Sequence, residues 1–162
     1  MHRAIFFDRD GVLNVNHGYV HRWEVFEWIE GAREAIQAAN DQGILAVVVT
    51  NQSGIAQGMY DEATFHHLMD RVRQNLAEGG AHLDAVYFCP HHPDEGPCDC
   101  RKPKPGMILQ AAREHDIDLS KSILIGDSDT DIEAASAAGV RSVLFTGGNV
   151  LKVLQEAGAY LP

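Results

Sequence analysis

The sequence predicts an α/β fold, a doubly wound parallel sheet with helices on both faces. Three observations predict it. Short apolar runs rich in β-branched residues alternate with helical patterns along the whole chain. One of them, "ILAVVVT" at 44–50, is apolar at every position but the last, as a strand covered on both faces requires. Most of the helical patterns stop on a glycine, which supplies the left-handed turn that ends a helix. Strand–helix alternation of this kind pairs strands in parallel through right-handed crossovers.

The elements follow in order. Residues 4–7, "AIFF", read as a short buried strand. Residues 31–42 read as a helix stopped by Gly43, and 44–50 as the second strand. Asp61 is a suitable N-cap for a helix over 61–78, which ends at Gly79 and Gly80. "AVYF" at 85–88 is the third strand. A helix over 106–115 follows Pro103 and Pro105. "SILIGD" at 122–127 and "VRSVLF" at 140–145 are the last two strands, around a helix over 129–138 that stops at Gly139. Gly147 and Gly148 form a turn, and a short helix follows. Two stretches stand outside the pattern. Residues 9–30 form a long connection, whose Trp23, Val25, Phe26 and Trp28 are expected to pack it onto the body. Residues 89–105, "CPHHPDEGPCDCRKPKP", carry no periodicity.

A chain of 162 residues is expected to form one domain, 1–162, burying roughly 70% of its unfolded surface. The formal charge of −10 argues against nucleic acid or an anionic membrane as partner, since both need a basic surface. It leaves room for a small anionic substrate, because a few local cations dominate a pocket once distant charges are screened. No run is long enough to span a bilayer or serve as a signal peptide, and three cysteines do not suit a disulfide framework. The expectation is a cytoplasmic monomer.

Chemistry gathers at the expected strand ends. Asp8 and Asp10 follow the first strand with one residue between them. On an extended backbone they would point to the same side, and their charges call for a cation or a shared proton. Thr50 closes the second strand, Asp127 the fourth, and Lys102 precedes the helix that leads into the fourth. Phosphoryl transfer needs such a set. Mg²⁺ takes carboxylate, water and phosphate oxygens, and Asp8 and Asp127 supply carboxylates. A carboxylate attacks phosphorus, an acid protonates the leaving oxygen, and Thr50 and Lys102 hold the remaining phosphoryl oxygens. A phospho-acceptor signalling domain has a similar set, but an acid at the leaving group serves turnover.

These residues occur in motifs that resemble the haloacid dehalogenase superfamily of phosphatases. "FFDRDGVLN" is similar to its first motif, "VVVTN" to its second, Lys102 to its third and "IGDSDTD" to its fourth. The resemblance implies Asp8 as nucleophile, Asp10 as acid and base, Thr50 and Lys102 on the phosphoryl group, and Mg²⁺ on Asp8, Asp10 and Asp127, with Asp131 as a supporting acid. No segment is long enough for a separate cap domain.

The loop at 89–101 adds Cys89, His91, Cys98 and Cys100, a C-x-H-x6-C-x-C set that suits a closed tetrahedral Zn²⁺ site. A Cys98–Cys100 disulfide would close a very small strained ring. His92 competes with His91, and the resembled pattern uses His91. The site is structural, since four protein ligands leave no position for water. With "CRKP" behind it, the loop resembles the zinc-bearing branch that holds heptose-bisphosphate and histidinol-phosphate phosphatases. "NVNHGYV", "TNQSGIAQG" and "CPHHP" are closer to the heptose enzymes. That likeness implies removal of the 7-phosphate of a heptose bisphosphate in nucleotide-activated heptose synthesis. It also implies sugar-phosphate contacts from Asn16, His17, Gly18, Tyr19, Asn51, Gln52, Ser53 and Arg101. Ser128 departs from the pattern, which has a lysine there, and the zinc loop is short.

Overall fold

The computed structural model describes residues 1–162. Five parallel strands form one sheet in the order β3-β2-β1-β4-β5. The strands are β1 (Ala4–Phe7), β2 (Leu45–Asn51), β3 (Ala85–Cys89), β4 (Ile123–Gly126) and β5 (Arg141–Leu144). Five helices join or follow them: α1 (Ala32–Asp41), α2 (Glu62–Glu78), α3 (Gly106–His115), α4 (Asp129–Ala138) and α5 (Val150–Glu156). Every expected element is present, with ends shifted by a residue or two. Asp61 caps α2 as expected, its carboxylate accepting from the Thr64 N–H at 2.8 Å.

The side-chain period of two explains why both faces are covered. Ile5, Phe7, Ala46, Val48, Ile123 and Ile125 face α1, α2 and α5 in one core. Their neighbours Ala4, Phe6, Val47, Val49 and Leu124 face α3 and α4 in a second. The strand order reverses between β1 and β4, the topological switch where doubly wound sheets open a crevice at their carboxyl ends. β1, β2 and β4 all end there.

The connection between β1 and α1 contains turns and isolated bridges but no helix or paired strand of its own. Trp23, Val25, Phe26 and Trp28 pack against the larger core, as expected. Trp28 also donates its indole N–H to Asn75 of α2 at 2.8 Å. The stretch after β3 holds a single short 3-10 turn, Pro93–Glu95. Gly106 opens α3 tight against this loop: a Cβ there would lie 2.0 Å from the Asp99 carbonyl oxygen.

Candidate active site

A cavity of about 460 Å³ opens at the switch point, and Asp8, Asp10, Lys102, Asp127 and Asp131 are among the residues that line it. Asp8 leaves β1 as its first residue outside the strand. Its Oδ1 accepts from the Arg9 main-chain N–H and from Lys102 Nζ, each at 2.9 Å, so its carboxylate has a fixed rotation. Lys102 is 4% exposed. Its ammonium spends its three protons on Asp8, on Asp131 Oδ1 at 2.5 Å and on the Val49 carbonyl at 2.9 Å. Asn51, at the end of β2, clamps the Lys102 main chain. Its side chain accepts the Lys102 N–H at 3.0 Å and donates to the Lys102 carbonyl at 3.2 Å.

The balance of charge is uneven. One buried ammonium faces two carboxylates. Burial pushes the Asp8 carboxyl well above the usual range; Lys102 opposes this, and Asp131 and Asp127 push it higher. Burial alone would depress Lys102, but Asp8 and Asp131 outweigh it and hold the ammonium above its ordinary value. The lysine stays charged, and a further cation beside Asp8 would favour its ionised form.

The Asp8, Asp127 and Asp131 carboxylates present oxygens within 4.8 Å of one another. Such a cluster of hard oxygens suits Mg²⁺ or a similar ion. Gly11 (φ +92°) makes the approach possible, since a Cβ there would fall 1.9 Å from Asp127 Oδ2. Asp131 is fixed by α4: its Oδ2 accepts from the Asp127 and Ser128 N–H groups and from Ser128 Oγ at 3.1, 3.3 and 3.0 Å. Ser128, where a lysine was expected, thus serves as the helix cap.

The Asp10 carboxylate is not in that group of side chains. β1 ends at Phe7, and the chain turns at once, with the Leu13 N–H donating to the Arg9 carbonyl at 2.8 Å. The same-side rule for an extended strand therefore does not reach Asp10. Its Oδ1 accepts from Arg9 Nη2 at 2.8 Å and Asn14 Nδ2 at 3.0 Å, and its Oδ2 from Gln52 Nε2 at 3.1 Å. Gln52 is held in turn by the Tyr60 hydroxyl and donates to Thr50 Oγ1 at 2.9 Å. Burial pushes Tyr60 up to about 12, so its proton stays available for that bond.

Of the expected substrate contacts, Asn16, Gly18, Tyr19, Asn51, Gln52 and Ser53 line the cavity. His17 and Arg101 do not. His17 lies 3.6 Å from Glu27, and Arg101 Nη1 donates to the His91 carbonyl at 3.3 Å. Thr50, buried one residue before the end of β2, is not among the lining residues. Tyr60 and Thr130 also line it, and sequence reasoning had not named them. Tyr60 stands in no motif, and Thr130 lies inside "IGDSDTD", where the flanking acids carry the signal.

Next to this centre, Cys89, His91, Cys98 and Cys100 bring one ligand atom each within 4.8 Å of the others. Cys89 Sγ lies 3.9 Å from Cys98 Sγ and 2.8 Å from Cys100 Sγ. His91 Nδ1 lies 3.4 Å from Cys89 Sγ and 3.3 Å from Cys100 Sγ. A tetrahedral ion with ordinary Zn–S and Zn–N bonds needs edges of roughly 3.5–3.8 Å, so three of these four distances fit within a few tenths of an ångström and the Cys89–Cys100 edge would open by about 1 Å. His92 is turned away and caps the 3-10 turn. Burial pushes the Cys89 thiol up. Burial raises the Cys98 thiol, but hydrogen bonds from the Arg101 and Cys100 main chain and from the other two thiols together outweigh it and bring it down to about 7.

Comparison with known proteins agrees with this geometry. A family model described as HAD-hydrolase-like matches residues 99–159. The D-glycero-beta-D-manno-heptose-1,7-bisphosphate 7-phosphatase of Photorhabdus laumondii is 44% identical over 162 residues, covering 95% of this chain and 86% of that one. The protein of the same name from Vibrio cholerae is 49% identical over 143 residues, covering 85% and 77%. The solved D,D-heptose 1,7-bisphosphate phosphatase of B. bronchiseptica, complexed with magnesium and phosphate, superposes with a TM-score of 0.84 at 38% identity. That match covers 99% of this chain and 88% of the other. Identity of this order over most of both chains, on the same fold, means that the chain belongs to the D-glycero-beta-D-manno-heptose-1,7-bisphosphate 7-phosphatase family of HAD-like hydrolases.

Proposed function

We propose that this protein hydrolyses the 7-phosphate of D-glycero-beta-D-manno-heptose 1,7-bisphosphate through a phosphoryl group carried on Asp8. One observation supports the mechanism above the rest. A buried carboxylate, locked by Lys102 and Arg9, faces a cavity in which a second carboxylate stands two residues on but in separate surroundings.

Asp8 attacks phosphorus in line with the sugar oxygen. The P–O bond to the sugar breaks as Asp10 delivers a proton to that oxygen, so the leaving group departs as a neutral alcohol. Water then attacks the aspartyl phosphate, and Asp10 takes the water's proton. Inorganic phosphate leaves, and Asp8 and Asp10 return to their starting forms. Lys102, by turning to the incoming group the proton it gives Asp8, and the Thr50 hydroxyl hold oxygens of the group in flight. Asp8 and Asp127, with Asp131 beside them, would hold Mg²⁺, which supplies charge neutralisation at the phosphoryl oxygens. Zn²⁺ on Cys89, His91, Cys98 and Cys100 would tie the loop that carries Arg101 and Lys102. Asn16, Gly18, Tyr19, Gln52 and Ser53 read the sugar, and Arg101 is the nearest cation in sequence for the second phosphate. The protein acts as a cytoplasmic monomer on this small substrate, without nucleic acid or membrane; the net charge of −10 supports the last point, since both of those partners are polyanionic surfaces.

The test is a phosphate-release panel with both heptose 1,7-bisphosphate anomers, histidinol phosphate and p-nitrophenyl phosphate, run on the wild type and on Asp8→Asn. The expected result is a heptose bisphosphate as the best substrate and no turnover in the folded variant. Preference for histidinol phosphate would overturn the substrate; turnover in Asp8→Asn would overturn the nucleophile.

A further inference from the structure

Arg9, between the two aspartates of the first motif, is 1% exposed, and its side chain is the largest fully buried one in the protein. Its Nη2 donates to Asp10 Oδ1 at 2.8 Å and to the Val20 carbonyl at 2.6 Å. Its Nε and Nη1 have no partner at all. The guanidinium lies 5.8 Å from the centre of the Phe65 ring.

For stability alone this is a poor arrangement. A buried cation with two unmet donors carries a desolvation cost that its two remaining bonds return only in part. Its two bonds instead join two things that the reaction needs together. One is the carboxylate of the acid. The other is the connection just after Tyr19, which lines the cavity. Gln52 holds the opposite oxygen of Asp10, but it is neutral and short; Arg9 brings the charge.

We propose that Arg9 is a positioning residue: it fixes the Asp10 carboxylate toward the leaving oxygen and keys that orientation to the substrate-covering connection through Val20. The proposal rests on the acid role given to Asp10 above. An acid misplaced by a fraction of its reach matters only when the leaving oxygen needs its proton. An aryl phosphate leaves with little help, whereas a sugar alkoxide does not.

The experiment compares Arg9→Met, Arg9→Lys, Asp10→Asn and the double variant Asp10→Asn/Arg9→Met on heptose bisphosphate and on p-nitrophenyl phosphate, with a thermal melt of each. Arg9→Met is expected to lose roughly 10²-fold in kcat on the sugar phosphate and at least tenfold less on the aryl phosphate, a size typical of one misplaced group. Its melting temperature is expected to fall, because Asp10 and the Val20 carbonyl lose their donor, so activities are compared at a temperature where every variant is folded. Arg9→Lys, which keeps the charge but not the fork, should show the same selectivity at smaller size. In the Asp10→Asn background, Arg9→Met should add nothing, because the group it positions is gone. Equal loss on both substrates in Arg9→Lys or Arg9→Met, or full additivity in the double variant, overturns the proposal and leaves the proposed function standing. A uniform loss in Asp10→Asn itself overturns the acid role, and this inference with it. If Arg9→Met does not fold, Arg9→Lys decides alone.

Discussion

Lys102→Met removes the one buried ammonium of the site and leaves its surroundings in place. Methionine has about the right length, so packing changes little. What changes is charge. Asp8 and Asp131 remain buried, now with no cation between them, and the Val49 carbonyl loses its donor. Removing one partner of a buried ion pair costs about 3–5 kcal/mol, whereas removing both is nearly neutral. For a chain of this size each kcal/mol lowers the melting temperature by about 2–4 °C, so the variant should melt roughly 6–20 °C below the wild type. The pH dependence has a definite sign. Asp8 is already raised above the ordinary carboxylate range by burial, against the pull of Lys102. Without that pull it rises further in the folded variant. A carboxyl raised on folding gives its full stability below the unfolded value and loses it as pH climbs through the folded value. The deficit of Lys102→Met should therefore be largest near about pH 8 and shrink toward about pH 5. The assay is a circular-dichroism melt of variant and wild type side by side in magnesium-free buffer with the zinc loop left loaded. Adding Asp8→Asn to the variant should recover most of the loss in alkaline buffer. A deficit that is constant or grows on acidification would refute the reasoning, as would a double variant no more stable than Lys102→Met.

Three further perturbations reach other parts of the site. Cys98→Ser should bind at least tenfold less zinc by metal analysis, while far-ultraviolet circular dichroism keeps the sheet and helices; full zinc content in the variant would remove Cys98 from the ligand set. Gly11→Ala puts a Cβ 1.9 Å from Asp127 Oδ2 at a φ of +92°. It should raise the half-saturating Mg²⁺ concentration of the phosphatase reaction by roughly 10–100-fold, and an unchanged requirement would separate Asp127 from the metal. Arg101→Ala should lower kcat/KM for heptose bisphosphate roughly tenfold more than for p-nitrophenyl phosphate, which has no second anion. Equal losses would place Arg101 with the common phosphoryl machinery.

The fold was legible because each element carries its own local signal. "ILAVVVT" needs both faces covered whatever surrounds it, and Gly43 and Gly139 mark helix ends by backbone conformation alone. The chain positions of Asp8, Lys102 and Asp127 followed, since a parallel sheet sends its strand ends to one edge. The zinc-type group was legible for a different reason: soft ligands at short spacing on an aperiodic loop have few other uses. Side-chain direction beyond the strand end was not legible. The same-side rule for residues two apart holds only while the backbone stays extended, and β1 stops one residue before Asp8. From there the turn around the Arg9 carbonyl sends Asp10 toward Gln52 and Asn14, and sends the Arg9 side chain inward. Nothing local announces that last step. An arginine flanked by two acids normally lies on the surface, and only the fold shows that Val20 comes close enough to draw it in. Arg101 shows the same limit. Standing beside a buried lysine, it reads as a site residue, yet the two side chains diverge: Lys102 enters beneath Val49, and Arg101 turns back along the zinc loop to the His91 carbonyl. Adjacent residues on an irregular loop share a position but not a direction. In the proposed reading, the reach of Arg101 toward the second phosphate depends on a loop that Zn²⁺ would tie down, and the Arg101 and Cys98 variants should then fail together on the bisphosphate.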